Sequence, residues 1–140
     1  LNIKEEGLEE RLIRMMDEHG VEDFFFLDQS FPFLIKTAKN GEGRCAARVS
    51  EYEPITLALS LKGLISWVWV DCFSSFPLTG ASAKILQRAG FQLCLVSPEL
   101  QGRTDPKEIF ELKDFLTSEK IKAEAVCTKR PDLWGTNHAV

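Results

Sequence analysis

Six times along this chain a short apolar run closes on a polar or charged residue and hands over to a stretch of helical periodicity. The runs close at Lys4, Asp28, Arg48, Asp71, Glu99 and Lys129. Successive runs start roughly 20–30 residues apart, the length of one βα unit, so the alternation predicts an α/β protein with parallel strands. In the run over residues 21–28, Phe24 and Phe26 fall on one face and Phe25 and Leu27 on the other. A strand apolar on both faces suits a parallel sheet covered by helices. Carboxyl ends of parallel strands share one rim, where ligands of such proteins gather.

Local signals place the connecting helices. Leu8, Leu12, Met15 and Met16 make one stripe of a helix over residues 6–18, stopped by His19-Gly20. A short helix is expected over 33–39, another from Pro54 through Lys62, and a third over 81–89 with Gly90 as its stop. Asp105-Pro106 opens a helix to about Ser118, with Asp at the cap and Pro at the first position. Strands are expected up to Lys4 and over 21–28, 44–50, 66–71, 91–97 and 123–128, and the tail after Trp134 reads as unstructured. Six parallel βα units are too few for a closed barrel of eight, so the fold is a partial (β/α)8 TIM-type barrel lacking two units or an open doubly wound sheet. At 140 residues, with no linker-like tract, the chain is one domain or a domain fragment.

Composition removes several functions. A net charge of −4 and a pI near 5.3 argue against nucleic-acid binding, which wants a basic face. The apolar runs are too short and too interrupted to span a membrane. Cys45, Cys72, Cys94 and Cys127 sit in or just after expected strands without zinc spacing, which reads as buried thiols and a cytoplasmic location. Gly41 and Gly43 read as a turn rather than a phosphate loop, because no Lys-Ser/Thr follows and no strand precedes. Trp67 and Trp69 alternate along a strand as core residues do. His19 stands at a helix stop and His138 in the tail, which leaves histidine-based acid-base pairs and triads without a candidate.

The strand tips, with Glu51 and Arg103 in the following loops, therefore carry the site hypothesis. Lys4, Arg48, Arg103 and Lys129 suit a phosphate or carboxylate ligand, while Asp28, Glu51, Asp71 and Glu99 suit a divalent ion or a proton transfer.

Particular segments add a resemblance. Residues 1–8, Leu-Asn-Ile-Lys-Glu-Glu-Gly-Leu, resemble the third-strand segment of the glycerophosphodiester phosphodiesterase family, where a Glu-x-Lys strand end supplies a metal ligand and a nearby cation. Residues 66–73, 93–100 and 127–132 look like later strands of a divergent branch of that superfamily. The resemblance implies the third strand to the end of a (β/α)8 barrel and a metal-assisted hydrolysis of a phosphodiester such as a glycerophosphodiester. It implies Lys4 as a catalytic cation, Lys4 and Arg48 as phosphate contacts, and Asn2 and Asp71 as ligands of Mg²⁺ or Ca²⁺. The chain departs from the family in two ways. Asn2 stands in place of the Glu, and the His-Arg, Glu-x-Asp and His-Asp motifs of the first strands do not occur. The 140 residues alone are accordingly expected to lack hydrolytic activity.

Two other classes fit parts of the pattern. Asp71, Ser97 and Lys129 fall in the order of a receiver-type phosphoacceptor domain, and a sheet with open edges could serve as a non-catalytic binding or scaffold module that associates with a second copy.

Overall fold

The computed structural model describes residues 1–135. Four strands, β1 (Ala46–Val49), β2 (Trp67–Val70), β3 (Gln92–Val96) and β4 (Ala125–Cys127), form a sheet in the order β1-β2-β3-β4 with every neighbouring pair parallel. Six helices accompany them among the described residues: α1 (Glu9–Glu18), α2 (Phe31–Lys39), α3 (Ile55–Leu59), α4 (Gly80–Arg88), α5 (Pro106–Glu119) and α6 (Pro131–Trp134). A 3-10 turn, Pro98–Gln101, follows β3. No helix among the described residues is long and apolar enough to cross a membrane.

The first two expected strands are much shorter than the sequence suggested. Each is reduced to an isolated parallel bridge, Asn2 with Leu27 and Phe26 with Cys45. Phe26 N–H donates to Arg44 O at 2.7 Å and Ala46 N–H to Phe26 O at 2.8 Å, while Ile3 N–H reaches Leu27 O at 2.9 Å. The ladder extends no further for two reasons. Residues 21–23 are exposed, and Phe24 N–H turns back to Glu22 O. At the other end Asp28 takes a φ of 59°, a left-handed conformation that leads the chain out of the extended state. The regular sheet therefore has four strands rather than six, with two parallel bridges continuing the sequential order beyond β1.

Helix limits also moved. α1 begins at Glu9 rather than residue 6, because Gly7 holds a φ of 86° that no helical turn accommodates. α2 begins at Phe31, with Pro32 in its first turn where the missing N–H costs nothing. α3 spans Ile55–Leu59, shorter than expected from Pro54 to Lys62, with Pro54 as its N-cap. α6 has no counterpart in the sequence expectation. Of the tail expected to be unstructured, residues 136–140, with His138, lie outside the described residues.

Strand register sorts the side chains into two faces. Ala47, Val49, Val68, Val70, Leu93 and Leu95 share one face and pack with Leu34, Ala58, Leu86, Ile109, Leu112 and Leu116 of the helices in the main apolar core. The other face carries Ala46, Arg48, Trp67, Trp69 and Cys94, none of which belongs to that core cluster. Trp67 and Trp69 are half-buried there rather than part of the helix-packed core, and Phe25 stacks on Trp67 with ring centroids 4.5 Å apart.

Burial within this arrangement explains the cysteines. Cys45, Cys72 and Cys94 are buried and Cys127 is half-buried, all as free thiols. Loss of water pushes the Cys45 and Cys94 thiols up to about 12, so both stay protonated near neutral pH.

Candidate functional site at the strand-end rim

Lys4 and Asp28, each following an isolated bridge, and Arg48 of β1 meet at the Asp28 carboxylate. Lys4 Nζ donates to Asp28 Oδ2 at 2.8 Å, and Arg48 Nη2 donates to Asp28 Oδ1 at 2.9 Å. Burial by itself would raise the Asp28 carboxyl, but the hydrogen bond and charge of Lys4, the charge of Arg48 and a hydrogen bond from Asn2 outweigh it and hold the group below its ordinary value. Arg48 also faces Glu53 Oε2 at 3.8 Å and Asp71 Oδ2 at 4.0 Å, both beyond hydrogen-bond reach. Its Nε and Nη1 are thus donors without a protein acceptor among the described residues.

Asp71 is buried at the end of β2. Its Oδ1 accepts from the Cys72 N–H at 3.0 Å and from Gln101 Nε2 at 2.6 Å. Asn2, Lys4, Asp28, Arg48 and Asp71 are therefore brought together by the fold. Glu53 and Gln101 join them without having stood out in the sequence.

The other expected rim residues are committed elsewhere. Glu51 Oε1 accepts the N–H groups of Ser74 and Ser75 at 2.6 Å each and the Ser74 hydroxyl at 2.9 Å, and its Oε2 accepts the Phe73 N–H at 3.2 Å. Burial works against its charge, yet these donors prevail and lower the carboxyl to about 2. Arg103 grips the same loop from the other side, donating to Ser74 O at 3.0 Å and to Cys72 O at 3.3 Å. Glu99 is taken up by the Ser97 and Thr128 hydroxyls and by the Lys129 N–H at 2.9 Å, while Trp134 Nε1 donates to Ser97 Oγ at 2.9 Å. The Lys129 side chain is exposed and away from Asp28 in this network. Glu51, Glu99 and Arg103 thus fasten loops around the rim.

One consequence concerns acid. The depressed Glu51 carboxyl favours the native state above its ordinary value near 4.5, and that advantage fades as pH falls toward about 2. Glu51→Gln is expected to cost about 1–2 kcal/mol at pH 7, a figure kept small because the group is partly open to solvent. The gap between variant and wild type should narrow below pH 4.5 in urea titrations. A gap independent of pH from 7 to 2 would remove this role.

The metal expectation fares poorly against the donor set. Among the described residues no group of three or more His, Cys, Asp or Glu side chains is placed to hold a metal ion. Both Asp28 oxygens are engaged by cations and one Asp71 oxygen by two N–H donors, so the residues present do not fit a resident Mg²⁺ or Ca²⁺.

Beside the ion pairs lies a cleft of about 190 Å³. This slot lies among residues 27–29, the start of α2, β1, α3 and Trp69 of β2.

No protein-family model, curated protein or solved structure matches the chain.

Proposed function

We propose that the chain forms the later part of a (β/α)8 barrel of the glycerophosphodiester phosphodiesterase type, and that its rim seats the phosphoryl oxygens of a small phosphodiester at Lys4 and Arg48. The observation that carries the reading is the meeting of Lys4, just after the Asn2 bridge, and Arg48 of β1 on Asp28 between them. The strand order adds support. It runs in sequence with no reversal, as in a barrel, whereas doubly wound and receiver-type sheets reverse at a switch point.

Arg48 offers Nε and Nη1 to a phosphoryl oxygen, held in place through its bond to Asp28. Lys4, with its side chain largely in solvent, adds a mobile second cation. Glu53 opposes this seat, since its carboxylate stands beside Arg48 where an anion would go. The chain alone binds without turnover, because His19 bonds Met15 O on α1 and the described rim holds no histidine to carry the proton.

Titration with glycerol 3-phosphate, followed by amide NMR shifts, tests the reading. Shifts should concentrate at residues 4, 28 and 48. Arg48→Ala should weaken binding tenfold or more, about 1.5–3 kcal/mol for hydrogen bonds to a charged group, and Glu53→Gln should strengthen it severalfold. Shifts absent from these residues, or an affinity indifferent to Arg48→Ala, would remove the phosphate role.

A further inference from the structure

Resting on that reading of the rim, the slot points to a more specific ligand: we propose that it receives a short apolar arm esterified to the bound phosphate, an alkyl or aryl group of roughly six carbons. The walls carry the argument. Leu27, Phe31, Leu34, Ala46, Leu57 and Trp69 supply apolar surface, and Asp28, Arg48 and Glu53 stand together as its charged lining. Phe31 is 47% and Leu57 37% exposed, leaving apolar surface open immediately beside an ion-paired arginine. The capacity also fits, since an apolar cavity of about 150 Å³ holds a benzene-sized molecule and this slot measures about 190 Å³. A ligand with its anion on Arg48 Nε and Nη1 can therefore lay a six-carbon arm between the start of α2 and the body of α3.

The charge balance selects the same kind of ligand. Lys4 and Arg48 face Asp28, Glu53 and Asp71, two cations against three carboxylates, so the net charge does not draw an anion in and the apolar arm supplies the discrimination. A phosphate without an arm gains only directed hydrogen bonds from Arg48.

The test is a calorimetric series on the purified chain with inorganic phosphate and methyl, propyl, hexyl, decyl and phenyl phosphate. Affinity should rise about two- to fourfold per added methylene up to hexyl, from roughly 0.8 kcal/mol per fully buried CH₂, and then level off at decyl. Phenyl phosphate should bind about as well as hexyl phosphate. Leu57→Trp, which plugs the slot from an already exposed position, should flatten the dependence of affinity on chain length. Binding that shows no dependence on chain length overturns the slot proposal and leaves the phosphate rim standing. Binding of none of the six overturns both, and a rise that continues unchanged in Leu57→Trp places the arm elsewhere and overturns the slot alone.

Discussion

Replacing Phe26 by alanine should lower stability by about 3–5 kcal/mol in urea unfolding, the range for a fully buried aromatic. Phe26 is 0% exposed and sits in the core with Ile3, Leu34 and Cys45, with the Phe24 ring edge-on at 5.5 Å. Its backbone is also the bridge between residues 26–27 and β1, through the bonds to Arg44 O and from Ala46 N–H. Loss of the ring therefore does more than open a cavity. It loosens the segment that delivers Asp28 to the rim, so hydrogen exchange at residues 26–28 should quicken more than exchange in β3. Phe31→Ala, at an exposed position, should stay within about 0.5–1 kcal/mol of wild type. Equal costs for the two substitutions would contradict the core assigned here.

Gly80→Ala should be nearly as damaging, about 2–3 kcal/mol, although it adds one methyl group. Gly80 opens α4 against the end of α5, where its N–H donates to Glu119 Oε2 at 2.7 Å. A Cβ at this position would collide with the backbone carbonyl of Glu119, which cannot rotate away as a side chain would. The helices must then separate, and Tm should fall by roughly 6–12 °C. Ala81→Ser, one residue on and exposed, should change little. A stable Gly80→Ala protein would mean that α4 and α5 are not in contact here.

What the sequence discloses follows from how local each signal is. The alternation through Trp67, Trp69 and Asp71 marked β2 and the face of its tip, because period-two patterning is a property of the strand itself. Arg48 and Asp28 were legible as strand tips for the same reason. The brevity of the first two strands was not, since it depends on an αL residue at Asp28 and on residues 21–23 finding no neighbour. Nor could Glu51 and Glu99 be told from ligand-binding carboxylates. Their acceptors' valences are filled by N–H groups at 73–75 and 129, more than twenty residues away, and no pattern in the sequence announces such partners. Glu53 was hidden next to Glu51, two acidic residues in one loop with opposite orientations: one holds the loop after β2, the other faces Arg48. The slot gathers residues from a loop, two helices and two strands, and such a gathering has no residue signature.

The account depends on Lys4 and Arg48 meeting at one carboxylate, and the carbon-13 titration of the Asp28 carboxyl measures that meeting directly. The predicted midpoint lies below the ordinary aspartate value of 3.8 and rises in both Lys4→Met and Arg48→Met. A midpoint at or above 3.8 that neither substitution moves would show that the two cations do not converge there, and the rim would cease to be a site.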